Sequence, residues 1–476
     1  MIHSRHGLSR RLLAVVVMAT ALTAACTPSP PTSSAPATDP PTAGATGASG
    51  RVLRVPGDAP SIQGAVDLAR PGDLVLVAAG TYHEEVVVEK VDDVTIRGAD
   101  RNRTILDGEH ARDNGIKVFR NGVAVENLTI RNYKSNGIFF TGDFDTNFVL
   151  TGYRASYVTV HNNGDYGLYA FNATKGVFDH DYGSGHPDAA FYVGQCDPCD
   201  AVISDSLGER NMLGFTGTNA SGVTIVRSEW RDNMIGLVPN SNDGEKLAPQ
   251  RRARIVGNWV HDNTGDGVPI SDDQYRLVWG NGILVTGGQD DEITRNLVER
   301  NPRGGIGIMM WPFRTGQLPA FEVSGNRVTT NVAQGNATEP GSFADLWLWT
   351  ARASQGNQGN CFAENTYDTT APADLEAGAP CDGAGAVEFP GLDRRTLRPG
   401  PSGIDHRDVP SPPDQIQMPD AATAPAAPAL AARTPPPVDL DEVVLPTPTP
   451  GTTPGKTPGK TPGTAPGTPP GTRPAG

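Results

Sequence analysis

Six polar residues recur at matched places in the middle of this chain. Counting back from Gly167, Ala190, Gly214 and Gly236, the fourth residue is Asn163, His186, Arg210 and Asp232, and the second, in the first two cases, is Asp165 and Asp188. Lys175, Asp179, His180, Asp181 and Tyr182 lie between the first two of these units. If the units stack as strands, equivalent residues stand about 4.8 Å apart, and groups remote in sequence form one constellation. Removing an α-proton from a uronate needs a cation on the sugar carboxylate, a base, and an acid at the leaving group. Arg210 or Lys175 supplies the first role, and His186, Tyr182 or an aspartate the others. Asp165 and Asp188, paired, would also suit a hydrolase or a Ca²⁺ ion. The competing structural reading is a polar corner, which any stacked coil needs.

The elements that would position these residues follow from a repeat. Units opening on a small residue and an apolar one begin at Gly115, Gly137, Gly167, Ala190, Gly214, Gly236, Gly282 and Gly305. Their spacing is about 23 residues, with one longer step after Gly137 and one doubled step after Gly236. Short runs of alternating apolar residues, such as VTIV at Val223 and EITRNLV at Glu292, indicate strands. Two or three strands in each short repeat predict an all-β solenoid, a parallel β-helix, in which neighbouring turns share one core. Asn136, Asn163, Asn211, Asn233 and Asn301 precede the glycine step and suit hydrogen-bonded side-chain ladders at left-handed corners. APSIQGAVDLARPGD predicts one amphipathic helix, with Ile62, Ala65, Val66 and Ala69 on one face, covering the edge of the first coil. The stretch between Gly236 and Gly282 is long enough to leave the coil as loops, and loops on a rigid scaffold often bind. Its Tyr275 and Trp279, with Trp311 further on, are candidates for stacking on sugar rings or for covering the coil.

Composition bounds the rest. The net charge of -14 argues against nucleic acid as a partner, since phosphate binding needs a basic face. MIHSRHGLSRR, LLAVVVMATAL and TAAC form a basic, an apolar and a small-residue region, too short in the middle to span a bilayer. LTAAC resembles a bacterial lipobox, with Thr23 where Leu is usual; that resemblance implies cleavage before Cys26 and its lipidation. The expected organisation is a signal peptide over 1–25, a Pro/Thr/Ser-rich stalk over 26–50, the β-helix over 51–395 and a disordered low-complexity tail over 396–476. With Cys26 lipidated, four cysteines remain for an oxidising compartment, and the simplest pairing joins Cys196 to Cys199 and Cys361 to Cys381. The CDPC stretch lacks two further zinc ligands and does not open a helix. GDFDTN at Gly142 starts like a calcium loop but lacks its later Gly and Glu, and no GxSxG occurs.

SIQGAVDLARPGDLVLVAAGTYHEEVVVEKVDDVTIRGAD resembles the first rungs of the pectin-lyase-like superfamily, and in particular its right-handed parallel β-helix repeat proteins, which include NosD-like and carbohydrate-active members. The resemblance covers roughly 51–370 and implies a right-handed coil; function does not transfer with this fold. DYGSGHPDAA holds Tyr, Gly, His, Pro and Asp in an order different from the DPHD-type tetrad of alginate C5-epimerases. Methionines number only 7 and do not cluster, which leaves a NosD-like role in copper-enzyme maturation without support. Two readings follow. One is a monomeric, lipid-anchored extracytoplasmic protein that binds or processes a polysaccharide or cell-wall glycan as a lyase, epimerase or hydrolase, with no obligatory cofactor beyond an optional Ca²⁺. The other is a non-catalytic envelope protein displaying a rigid surface.

Overall fold

The computed structural model describes residues 50–310, 323–350, 359–383, 397–424, 426 and 438–448. Cys26, Trp311 and the proposed signal and stalk lie outside the described residues. Among those described, the chain winds through three parallel sheets of 12, 11 and 11 strands as a right-handed parallel β-helix. Each turn visits sheet 1 (first strand Val52–Val55), then sheet 2 (first strand Gly80–Tyr82), then sheet 3 (first strand Val86–Val88).

Alternation along each short strand sends one side chain inward and the next outward, and parallel register stacks like on like. Ile116, Ile138, Leu168, Phe191, Phe215, Leu237, Ile283, Ile306 and Leu346 form the inner row of sheet 3. Val75, Ile96, Val125, Ala155, Phe178, Ile203, Ile225, Ile255 and Ile293 do the same for sheet 1. All are buried, so each coil's inner face becomes the floor of the next. In sheet 2, Gly208 and Trp230 are register partners, and a Cβ on Gly208 would stand 3.0 Å from the indole; the missing side chain on one coil makes room for a large one on the next.

Both ends of the coil are covered. Helix α1 (Ile62–Leu68) buries Ile62, Ala65 and Val66, and Ser61 caps it by accepting from the Gly64 amide at 3.0 Å. The Glu84 carboxylate accepts from the Ile62 and Gln63 amides, tying the cap to the first turn. Helix α2 (Leu375–Gly378) places Leu375 in the core at the other end. Cys196 is bonded to Cys199 and Cys361 to Cys381, as the simplest pairing predicts.

Two expectations need correcting. The step after Gly236 is one coil, not two: Leu237 pairs directly with Ile283, and the extra residues leave as loops at two corners, around 241–250 and 264–280. The expected disordered tail over 396–476 is ordered in part, because its backbone finds partners on the coil. Asn162 donates to the His406 and Val409 carbonyls, Arg101 to Ile416, and the Asn127 side chain accepts from the Met418 amide. Val443 packs with Val226 and Val256.

Candidate functional site on the outer face of sheet 3

The turn from sheet 2 to sheet 3 decides the fate of the expected residues. Asn163, His186, Asn211, Asn233, Asn263, Asn301 and Asn336 stack there as a continuous ladder that ends on Asp345. Each Asn Nδ2 from Asn211 onward donates to the Oδ1 of the next residue, and backbone amides join in. His186 occupies one rung of this ladder. Its Nδ1 meets the Asn211 Oδ1, which only accepts, at 2.9 Å, and its Nε2 lies 3.2 Å from the Asn163 Nδ2, which only donates. The ring is therefore the neutral Nδ1–H tautomer with both nitrogens in use. Burial pushes its pKa down to about 3. His186 is a structural rung and has no nitrogen left for proton transfer, contrary to the catalytic expectation.

Arg210 and Asp232 are not its equivalents. The ladder residue is the fourth before the unit start at Asn163 and His186 but the third at Asn211 and Asn233, because the corner has lost one residue. Arg210 and Asp232 instead share the outward row of Asn132, Asn162 and Gly185, all with left-handed backbone (φ of 57° for Arg210 and 53° for Asp232). Arg231 pairs with Asp232 on that outer rim at 3.3 Å. Lys175 is exposed at the far corner, beyond the strand that Asp165 precedes. Tyr182 stands on sheet 2, buried, with its hydroxyl on Glu209. Asp181 belongs to another corner ladder, accepting from the Val158 amide at 2.7 Å.

Asp165, Asp188 and Tyr275 do come together. Asp165 and Asp188 lie on adjacent coils at the edge of sheet 3, and the Asp188 amide donates to the Asp165 carbonyl at 3.2 Å. The Tyr166 hydroxyl donates to Asp188 Oδ2 at 3.1 Å. Burial, reinforced by the charge of Asp165, pushes Asp188 up to about 8; burial pushes Asp165 up to about 6. The Tyr275 phenol, on the 264–280 loop, meets the Thr216 side chain and faces Asp188, Asp272 and Glu245.

Beside this pair runs a stripe of outward side chains in register: Lys117, Phe139, Tyr169, Tyr192 and Thr216. Phe139 and Tyr169 stack at 4.5 Å and 6°, Tyr166 lies 4.5 Å from Tyr169, and Tyr169 meets Tyr192 edge-on at 4.7 Å. Gly194, next on the strand, allows the Tyr192 ring to lean across, since a Cβ there would stand 2.4 Å from its hydroxyl. Lys117 sits over Phe139 at 5.4 Å and Lys246 over Phe144 at 4.4 Å. The Glu245 carboxylate accepts from Gln195 at 2.7 Å. Tyr166, Tyr169 and Tyr192 are not among the residues expected from spacing. The signal for Tyr169 and Tyr192 is the alternation in GLYAF and AFYVG, where an aromatic stands at the outward position of successive coils; Tyr166 precedes its strand and carries no such signal.

Trp279 belongs to a neighbouring apolar cover. With Val268, Val278, Met212, Met234 and Trp347 it builds a second cluster on the outside of sheet 3, and the Arg303 guanidinium lies 5.6 Å from its ring. Among the described residues no cluster of three or more His, Cys, Asp or Glu is placed to hold an ion, at Asp165 and Asp188 or elsewhere.

The family model described as a right handed beta helix region matches residues 149–335, which include Asp165, Asp188, Tyr169 and Tyr192. No curated protein matches the chain. Among solved structures, the Azotobacter vinelandii mannuronan C-5 epimerase AlgE4 A-module is 16% identical, with a TM-score of 0.48 over 66% of this chain and 92% of that one. Pectate lyase Pel9A is 13% identical, with a TM-score of 0.41 over 78% and 90%. A mannuronic acid specific polysaccharide family 6 lyase from human gut microbiota is 12% identical, with a TM-score of 0.36 over 67% and 82%. At these identities the likeness is one of fold, and the chain is similar to these proteins as a right-handed parallel β-helix.

Proposed function

We propose that the outer face of sheet 3 is a glycan-cleaving groove, with Asp188 as general acid and Asp165 as base. The observation that carries this is the pair itself: two carboxyls on adjacent coils, one holding a hydroxyl donor, beside a row of aromatic faces. Sugar rings stack on the half-buried Phe139 and Tyr169, whose rims are apolar, and the Tyr169 hydroxyl reaches ring oxygens. The carboxyl pushed to about 8 keeps its proton at neutral pH and serves the leaving oxygen; the one near 6 is ionised and serves water or the anomeric carbon.

Hydrolysis fits this set better than β-elimination. Elimination from a uronate needs a cation at the sugar carboxylate; Arg210 and Lys175 stand elsewhere, and Lys117 and Lys246 lie over Phe139 and Phe144 rather than against the pair. Asp272 and Glu245 add negative charge near the pair. Hydrolysis asks only for the two carboxyls. The test is a panel of neutral and uronate-containing oligosaccharides, read for new reducing ends and separately for the ultraviolet absorbance of unsaturated uronate. New reducing ends without unsaturation support the reading; unsaturated product replaces it with elimination; no product with measurable binding leaves a non-catalytic glycan-binding face. We further place the protein outside the cytoplasm on a lipid at Cys26. The Cys26→Ala variant is then recovered in the medium, and unchanged membrane association would overturn the anchor.

A further inference from the structure

The loop over 264–280 is bonded to a segment far along the chain. After the last coil, residues 397–409 run back along this loop. Arg276 donates from Nε to the Pro401 carbonyl and from Nη2 to the Gly400 carbonyl, both at 2.9 Å, and the Gly400 amide returns a bond to the Arg276 carbonyl at 2.8 Å. The Ile404 amide donates to the Val268 carbonyl at 3.0 Å, and Pro269 and Ile404 form a parallel bridge. Contact is close: a Cβ on Gly400 would stand 2.4 Å from the Trp279 ring, and one on Gly403 2.9 Å from Ile270.

The segment then grips the coils that carry the carboxylates. Asn162 donates to the His406 and Val409 carbonyls at 2.6 and 2.9 Å, and Gly185 lies against Val409. Asn162 and Gly185 stand three residues before Asp165 and Asp188 respectively. The loop has a further tie to the same corner, from the Ser271 amide to the Pro187 carbonyl at 2.9 Å. Long loops built on few internal bonds open easily, and external ties hold them.

We propose that residues 400–409 are a clamp and Arg276 a positioning residue: together they hold the 264–280 loop against the carboxylate-bearing coils and fix Tyr275 as a wall of the groove. Its significance for substrate rests on the glycan reading above, whereas the clamp itself can be measured without any ligand. The planar guanidinium suits two adjacent carbonyls, which a lysine ammonium meets only as a point donor.

The experiment compares full-length wild type with Arg276→Ala, Arg276→Lys and Gly400→Ala, using Arg295→Ala as a control. Arg295 bonds the Leu440 carbonyl and releases only a later part of the C-terminal segment. Amide hydrogen exchange should speed up at least tenfold over 266–280 in Arg276→Ala and Gly400→Ala, with the sheet 3 strands unchanged. Arg276→Lys should recover part of the protection, and Arg295→Ala should match wild type there. With a cleaved oligosaccharide, KM should rise at least fivefold while kcat stays within twofold. Unchanged loop exchange, or exchange that rises equally through the coil, overturns the clamp; a loosened loop with unchanged KM overturns its role at the site. If wild type neither binds nor cleaves any oligosaccharide, the glycan reading is lost, and loop exchange alone still decides the clamp.

Discussion

His186 and Asp188 are two residues apart and belong to different parts of the molecule. The histidine turns into the corner and replaces an asparagine, giving one proton and taking one in a column of amides. The aspartate turns out onto sheet 3, beside Asp165, and accepts from the Tyr166 hydroxyl. Burial acts on both in one sense, favouring the neutral form, and lowers the histidine while raising the carboxyl. What separates them is what else is in reach. A rung has its ring or amide bonded to the neighbouring rungs; Asp188 sits on the outer side of the corner, with the Tyr166 hydroxyl as its donor. In a β-helix, a perturbed titratable group is therefore a candidate for chemistry only on the outer side of a corner.

The largest effect expected from this contrast is at Asp188. Asp188→Asn should lower cleavage by about 10²–10⁴-fold, the range for a lost general acid, while the melting temperature at pH 7 holds or rises. Stability should rise because the folded-state pKa of Asp188 exceeds the unfolded one: its contribution is full at low pH and is lost as pH climbs toward about 8. Wild-type kcat/KM should trace a bell with limbs near pH 6 and 8, set by Asp165 and Asp188. A flat profile would remove the acid–base assignment.

Next in size is the rung. His186→Ala should cost about 2–4 kcal/mol in chemical denaturation, because it opens a cavity in the ladder and leaves the Asn163 Nδ2 without its ring partner. His186→Asn should recover most of that loss and keep full activity. The sign of the pH effect is opposite to that of Asp188. The folded-state pKa of His186, near 3, lies below the unfolded value, so its contribution is present at neutral pH and is lost as pH falls from about 6.5 toward 3. His186→Asn should flatten that acid limb. A large loss of kcat with intact stability in His186→Asn would break the comparison.

Tyr169→Ala should weaken oligosaccharide binding roughly tenfold, about what one lost stacking face is worth, with kcat little changed; titration calorimetry reads this directly. The smallest effects belong to the rim. Arg210→Ala and Asp232→Ala should leave stability within about 1 kcal/mol and cleavage within twofold, since neither side chain faces the pair. A strong loss of activity in Arg210→Ala would return the arginine to the site and reopen β-elimination.

Much of the architecture was legible because it is periodic. Small–apolar unit starts, alternating strands and recurring asparagines each reflect a constraint repeated on every coil, and such constraints show in one sequence. The site was less legible. Asp165 and Asp188 emerged because their corners have equal length, so counting from the unit start aligned them. Arg210 and Asp232 were misaligned by a single missing residue, enough to move a side chain from the inner row to the outer one. The tyrosines were visible as alternation but looked like ordinary strand residues.

The sequence by itself determined the solenoid, the helix that caps its first turn, and the coils on which two carboxylates recur. These depend on local alternation and on spacing. The sequence left three cysteine pairings open, of which the structure holds the simplest. Only the tertiary structure decided which side of a corner each polar group takes, that His186 stands in for an asparagine, and that residues near 400 reach back to hold the loop bearing Tyr275. Those outcomes depend on corner length and on contacts between segments more than a hundred residues apart, and neither is written in the repeat.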